Sequence, residues 1–185
     1  QLVYIDHRYC GNSGPAPIET CTMEQNADDV EALRQYLGLD KIFLLGQSYG
    51  GMVAQQYALK YQEHLYGLIL CATAPSHRFD ETLPVEMEKR ANAEQKEMLA
   101  KMFNADELTE DDCKEYIRVC SSLYHYRYDK KECDDGVKRS IWSPPVFKYG
   151  AKGGLSTYDF VPVLHTIKVP TLVMAGKEDF INPPV

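Results

Sequence analysis

One serine in this sequence stands in a setting that could make it a nucleophile. Ser48 lies in Gly46-Gln47-Ser48-Tyr49-Gly50, a Gly-x-Ser-x-Gly pattern between an apolar run at 41–45 and an alanine-rich run at 52–59. The first run predicts a parallel strand buried on both faces, and the second predicts a helix. Glycines beside the serine allow a sharp turn from strand to helix that leaves the hydroxyl exposed and rigidly held. This context, more than the short pattern itself, indicates a nucleophile.

A serine attacks a carbonyl only when a base takes its proton and a third group orients that base. Asp179 follows the strand predicted at 170–175 and is the preferred third group, with Glu178 as the alternative. The usual chain order is serine, acid, histidine, but no histidine follows Asp179. We therefore expect the base to lie beyond Val185, and His7 is the least implausible substitute within the chain.

The negative charge that develops on the attacked carbonyl oxygen needs preorganised hydrogen-bond donors. The backbone amide of Tyr49, at the start of the predicted helix, would supply one of them, helped by the helix dipole. A second donor normally comes from a glycine-rich loop before the nucleophile strand, where this chain has only Gly11 and Gly14. We expect that loop to precede Gln1.

The predicted elements follow the order of a parallel sheet with crossover helices. Strands are predicted at 1–6, 42–45 and 67–72, with helices between them. Thr22 and Gln25 fit a capping box at the start of the first helix. The sequence therefore predicts an α/β fold.

From about residue 75 the pattern changes to acidic helical runs and many aromatic residues, and the sheet pattern resumes only at 170–176. Helices are predicted at 86–103 and 109–123. Such an insert favours a lid over the carboxyl ends of the strands, where ligands bind in open α/β sheets. Three parts are predicted: a first core part at 1–74, a helical cap at 75–155 and a second core part at 156–185.

The aromatic residues of this cap are expected to line an apolar substrate pocket above Ser48. Four candidates for the pocket are Tyr124, His125, Tyr126 and Trp142. The alternative, that these rings form only the core of the cap, stays open, because large rings are favoured in either role.

Composition limits the remaining possibilities. The 185 residues carry a net charge of -7, which argues against a nucleic-acid groove, and no apolar run is long enough to span a membrane. Six cysteines show no metal-ligand spacing, which favours free thiols in a reducing compartment and hence a cytoplasmic protein. No metal and no cofactor is implied. The expected partner is a small-molecule or short-peptide substrate, and the oligomeric state stays open.

Several of these segments resemble one family. Residues 6–13, Asp-His-Arg-Tyr-Cys-Gly-Asn-Ser, resemble the Asp-x-Arg-Gly-x-Gly-x-Ser turn of α/β-hydrolases related to prolyl aminopeptidase (proline iminopeptidase), with Tyr9 in place of a glycine. Residues 46–51 are similar to the family's nucleophile elbow, 176–179 to its acid turn and 123–127 to part of its lid.

The resemblance implies an eight-stranded α/β-hydrolase fold, of which this chain would carry the fourth to seventh strands, with a helical cap after the sixth. It places the family's oxyanion loop before Gln1 and its histidine after Val185. Iminopeptidases hold the free amino group of the substrate with lid glutamates, whereas residues 142–153 contain Lys148 and no acid. A general esterase or amidase therefore stays open beside an aminopeptidase.

The sequence thus predicts a serine hydrolase that acts on a small ester, amide or N-terminal peptide bond through an acyl-enzyme on Ser48. A dehalogenase is disfavoured, because the elbow carries serine where that chemistry needs aspartate. The alternative is a non-catalytic or inactive hydrolase-like fragment. Both ends of the chain look cut, and we expect the 185 residues alone to be catalytically silent and poorly stable.

Overall fold

A computed structural model describes residues 2–182, without the side chains of residues 79 and 80. This part of the chain contains three strands, β1 (Ile42–Gln47), β2 (Leu65–Cys71) and β3 (Thr171–Met174). It also contains seven α-helices: α1 (Met23–Tyr36), α2 (Tyr49–Tyr61), α3 (Phe79–Arg90), α4 (Ala93–Asn104), α5 (Glu110–Tyr124), α6 (Lys130–Arg139) and α7 (Pro144–Lys152).

The three strands form one parallel sheet in the order β1-β2-β3. Gln47 pairs with Cys71, and Cys71 pairs with Met174, so the three strands end level with one another. Residues that directly follow the strands therefore meet at one edge of the sheet. Ser48 and Asp179, the two candidate catalytic residues, follow strands that end at this edge.

Helices α1 and α2 cover one face of the sheet. Ala27 and Val30 of α1 and Tyr57 of α2 are buried in the core that includes Leu68 of β2. Small residues let α2 lie close to the strands, and Val53, Ala54 and Ala58 are all almost fully buried. The sheet thus holds α2, and with it the residue at its N-terminus, in a fixed position.

The prediction that the first strand of this sheet is buried on both faces is wrong for the described residues. Phe43 and Leu45 are 71% and 59% exposed, whereas Ile42 and Leu44 pack against the core. Side chains alternate between the two faces of a strand, and α1 and α2 lie on one face only. An uninterrupted apolar run therefore does not by itself show that both faces are covered.

A buried carboxylate ties α1 to α2. Glu31 accepts hydrogen bonds from Arg34 (2.7 and 2.9 Å) and from Gln35 and Tyr57 (2.8 Å each). These donors, with Arg34 the largest influence, lower the pKa of Glu31 to about 2. The carboxylate therefore stays ionised at neutral pH although it lies in the helix interface.

The N-terminus of α1 forms only half of the predicted capping box. The Thr22 side chain accepts a hydrogen bond from the Gln25 amide at 3.1 Å, as predicted. The Gln25 side chain, however, donates to Asp29 at 3.5 Å and does not return to the Thr22 amide. A carboxylate one turn along the helix competes for the Gln25 side chain.

The predicted strand at residues 1–6 is not formed within the described residues. None of the three strands pairs with Leu2–Ile5, and all four residues are exposed. A strand needs a partner for its backbone groups, and apolar residues alone do not supply one. The segment leads instead to a compact turn, in which Asp6 accepts a hydrogen bond from the Asn12 amide at 2.9 Å and from the Ser13 hydroxyl at 2.7 Å.

The cap residues form a second core, made of α4 and α5 and centred on Leu99, Met102, Cys113 and Cys120. The helix predicted at 109–123 is confirmed as α5, with Thr109 as its N-cap. The single helix predicted at 86–103 is wrong, because the chain is extended at Ala91 and a new helix starts there. Asn92 and Gln95 form a reciprocal capping box at this point, which favours a helix start over continuation.

The chain enters and leaves the cap at adjacent points. Ser76 and Asp159 form an antiparallel bridge. On either side of it, the His77 amide donates to the Tyr158 carbonyl (3.0 Å), and the Phe160 amide donates to the Pro75 carbonyl (2.8 Å). These paired segments, residues 75–77 and 158–160, form the neck of the cap. The neck lies close to the boundaries predicted at 74/75 and 155/156.

Candidate active site

Ser48 occupies the turn between β1 and α2. Its backbone has φ 50° and ψ -121°, a conformation that an L-residue adopts only under strain. The side chain is exposed and does not cap the helix that it precedes. Serine is a common N-cap that would normally bond to the helix amides, so this hydroxyl is kept available for another use.

Two glycines make this turn possible. A Cβ on Gly46 would overlap the Gly50 carbonyl, because the end of β1 lies directly against the first turn of α2. A Cβ on Gly51 would come within 2.6 Å of the Thr73 side chain. Close approach of neighbouring groups therefore requires glycine at positions 46 and 51, whereas Gly50 has space for a Cβ.

Hydrogen bonds hold the Ser48 backbone on both sides. Its amide donates to the Cys71 carbonyl at 3.0 Å, which joins the turn to the end of β2. Its carbonyl accepts from the Gly51 and Met52 amides at 2.9 and 3.3 Å, and from the Thr73 hydroxyl at 2.8 Å. The strained conformation is thus fixed by neighbouring elements.

Tyr49, the candidate oxyanion donor, is the first residue of α2. The first amides of a helix have no intrahelical acceptor, and the helix dipole favours negative charge beside them. Its side chain turns back towards α1, where the buried Asn26 side chain donates to the Tyr49 hydroxyl at 3.1 Å. Burial raises the pKa of Tyr49, so the phenol stays neutral.

His7 lies close to the elbow. Its ring contacts the Tyr49 ring edge-on, with the centroids 5.3 Å apart. Burial lowers the pKa of His7, although Asp29 and Asp6 partly oppose this effect. Among the described residues, no hydrogen bond joins His7 to Ser48, so this arrangement does not provide the Ser48 hydroxyl with a base.

Asp179 lies in the turn after β3. Its amide donates to the Gly176 carbonyl at 3.1 Å, and its carboxylate accepts from the Ile181 and Asn182 amides at 2.9 Å each. Ser48 and Asp179 follow strands that lie on either side of β2, at the same edge of the sheet. Two strand spacings amount to roughly 10 Å, which leaves room for a side chain between them.

Glu178, the alternative acid, is engaged elsewhere. Arg90, at the end of α3, donates to the Glu178 backbone carbonyl at 2.9 Å and lies 3.5 Å from its carboxylate. The Glu178 side chain is more than half exposed. This geometry favours Asp179, whose catalytic role stays a prediction.

The four predicted pocket residues do not share one pocket. His125 and Trp142 line a cavity of about 460 Å³ whose walls all belong to residues 117–142. Tyr124 instead contacts Phe180, and Tyr126 is 86% exposed. Because α5 ends at Tyr124 and the chain is extended at His125, consecutive side chains point in different directions.

A second cavity, of about 310 Å³, borders Tyr49, the residue after the candidate nucleophile. Tyr49 forms part of its wall, together with Thr22 at the start of α1, Tyr149 and Gly150 of α7, and Phe160 of the neck. No pattern in the sequence predicts this cavity. Its walls come from four separated segments, and no local pattern links them.

Within the described residues, no group of three or more histidine, cysteine, aspartate or glutamate side chains could hold a metal ion. No helix of that part of the chain is long and apolar enough to cross a membrane.

A sequence model of the family described as alpha/beta hydrolase fold matches residues 1–185. The chain belongs to this family. The predicted α/β-hydrolase fold is therefore confirmed. In the α/β-hydrolase turn at residues 6–13, Tyr9 has φ 61°, which explains why glycine suits that position.

The relatives of this α/β hydrolase include proline iminopeptidases. It is 31% identical to proline iminopeptidase PfmaB of Pestalotiopsis fici over 190 residues, which cover 100% of this chain and 66% of that protein. It is 30% identical to the proline iminopeptidase of Lactobacillus helveticus over 197 residues, which cover 99% of this chain and 66% of the relative. The resemblance to proline iminopeptidases is therefore confirmed. The chain spans about two thirds of the length of these curated relatives.

Solved structures agree on the fold. Proline iminopeptidase from Mycobacterium smegmatis matches with a TM-score of 0.69 and 25% identity, over 96% of this chain and 64% of that one. A thermophilic esterase from Thermogutta terrifontis matches with a TM-score of 0.65 and 28% identity, over 97% of this chain and 62% of that one.

Proposed function

We propose that this α/β hydrolase is a serine hydrolase that cleaves a small ester, amide or N-terminal peptide bond. The observation that carries the proposal is Ser48, an exposed serine held in a strained conformation between a strand and a helix. Strain of this kind persists only where neighbouring groups impose it, and it is concentrated at functional sites.

In the proposed mechanism, a general base takes the proton from Ser48 Oγ as the oxygen attacks the carbonyl carbon. The Tyr49 amide donates to the oxyanion of the tetrahedral intermediate. The leaving alcohol or amine takes up a proton and departs, which leaves an acyl-enzyme that water then hydrolyses. Asp179 would orient the base, and the reaction needs no metal or cofactor.

The relatives support two substrate classes. Curated relatives at about 30% identity are named proline iminopeptidases, which favours a short peptide with a free N-terminal residue. The solved esterase at 28% identity supports a small ester as the other substrate class. The six free cysteines support a reducing compartment such as the cytoplasm.

The test uses a fluorophosphonate probe on the full-length protein, with mass spectrometry to identify the labelled residue. We expect Ser48 to be labelled, and Ser48→Ala to abolish labelling and lower turnover by orders of magnitude. Asp179→Asn should lower turnover strongly, whereas Glu178→Gln should leave most of it. Normal turnover in Ser48→Ala would refute the proposal.

A further inference from the structure

We propose that Thr73 is a positioning residue, whose hydroxyl fixes the Ser48–Tyr49 peptide so that the Tyr49 amide faces the reacting carbonyl. The inference rests on the proposed function and assigns a role to a residue outside the predicted triad. Thr73 lies just after β2, the strand next to the nucleophile strand.

One hydrogen bond joins Thr73 to the residue before Tyr49. The Thr73 hydroxyl donates to the Ser48 carbonyl oxygen at 2.8 Å. A trans peptide is planar, so its C=O and N–H bonds point in opposite directions. Holding the Ser48 carbonyl against Thr73 therefore directs the Tyr49 N–H away from Thr73.

The backbone before Thr73 is strained. Ala72 has φ 45°, in the left-handed region that L-residues rarely adopt. The Ala72 amide still donates to the Met174 carbonyl at 2.9 Å, so the strain occurs within an ordered part of the sheet edge. This turn takes the chain out of the strand direction and brings Thr73 to the elbow.

The helix opposite leaves room for the Thr73 side chain. Gly51 faces it, and a Cβ at that position would come within 2.6 Å of the Thr73 side chain. The strained residue before Thr73 and the glycine opposite it are separate features of the chain. Both serve to place this one side chain against the nucleophile's carbonyl.

The hydroxyl is not needed to start the helix. The Ser48 carbonyl already accepts from the Gly51 amide at 2.9 Å and from the Met52 amide at 3.3 Å. Removing the Thr73 hydroxyl therefore leaves that oxygen paired. Its contribution is to the direction of the Ser48–Tyr49 peptide, and this matters when charge develops on a substrate oxygen.

The experiment compares Thr73→Val with Thr73→Ser in the full-length protein, using p-nitrophenyl acetate as substrate. Valine keeps the branched shape without the hydroxyl, and serine keeps the hydroxyl. We expect Thr73→Val to lower kcat by about tenfold with KM and the thermal midpoint unchanged, because a less well directed Tyr49 amide donates a weaker hydrogen bond to the oxyanion in the transition state. Thr73→Ser should restore most of kcat.

Three results would overturn the inference: an unchanged kcat in Thr73→Val, a loss that Thr73→Ser does not restore, or a loss of kcat that follows a lowered thermal midpoint. Ser48→Ala separates this inference from the proposed function. If Ser48→Ala abolishes turnover while Thr73→Val matches the wild type, only the role of Thr73 is refuted. If Ser48→Ala is as active as the wild type, the proposed function itself fails.

Discussion

The Tyr124 ring packs edge-on against the Phe180 ring, with centroids 5.0 Å apart and an interplanar angle of 78°. Tyr124 is the last residue of α5 in the cap, and Phe180 directly follows the candidate acid Asp179. The Tyr124 hydroxyl also hydrogen-bonds to that of Tyr116. The cap therefore contacts the turn that carries the candidate acid.

Replacing Tyr124 should destabilise the protein. Tyr124→Ala removes the ring that packs on Phe180, which is 1% exposed, and we expect a loss of roughly 2 kcal/mol in the free energy of unfolding. Tyr126→Ala is the matched control, because that ring is 86% exposed and should have little effect. Chemical denaturation of both variants measures the difference, and equal losses would contradict the contact's importance.

Glu31 should make the protein sensitive to acid. Its folded-state pKa of about 2 lies below the ordinary value of 4.5, so its stabilising contribution is fully present above pH 4.5. That contribution is lost as the pH falls from 4.5 towards 2. Denaturation curves recorded between pH 7 and pH 3 should show this decline in the wild type and a smaller one in Glu31→Gln.

The same residue predicts a large mutational effect at neutral pH. Glu31→Ala removes the charged partner of Arg34, whose guanidinium keeps its bonds to the Leu39 and Asp40 carbonyls, and should lower the free energy of unfolding more than loss of an exposed acid does. Glu63→Ala serves as the control, because it removes an acid that is exposed. A loss no larger than that of the control would show that Arg34 finds another partner.

His7 should make the stability of the protein depend on pH in a higher range than Glu31 does. Burial places its folded-state pKa below the ordinary value of 6.5, so the stability that comes from neutral His7 is present above pH 6.5. It is lost as the pH falls through the folded-state pKa. His7→Gln should flatten this part of the stability profile, and an unchanged profile would mean that His7 remains solvated.

The two cavities give rival predictions for substrate preference. Gly136 lines the cavity of His125 and Trp142, and Gly150 lines the cavity beside Tyr49; both glycines have space for a Cβ. We expect Gly150→Leu to change the relative kcat/KM for small and large acyl groups, because that cavity borders Tyr49, the residue after the proposed nucleophile. Gly136→Leu should leave the ratio unchanged. A ratio that changes in Gly136→Leu and not in Gly150→Leu would indicate that the substrate binds in the cavity lined by His125 and Trp142.

The parts of the structure that the sequence predicted are those set by local chemistry. The elbow at Ser48 depends on glycines within a few residues of it, and the start of α5 depends on Thr109 as a cap. The break in the cap at Asn92 had a readable signal, an Asn-x-x-Gln capping box, within a longer helical pattern.

The parts that the sequence did not predict depend on distant neighbours. A strand at Leu2–Ile5 would need a paired strand, and apolar composition cannot supply the pairing. Thr73 and Asn26 reach the elbow only after β2 and α1 are placed beside it. Their residue types are ordinary in sequence, and only the tertiary contacts reveal them.

The paired segments at Ser76 and Asp159 also bear on how such proteins diversify and can be engineered. Opposed residues of an antiparallel pair lie about 5 Å apart, so the whole intervening segment joins the sheet through two neighbouring points. A foreign cap whose ends are equally close could be grafted at this junction if it also replaces the contact that Tyr124 makes with Phe180. One segment of the chain could then be exchanged while the turn at Ser48 is inherited intact.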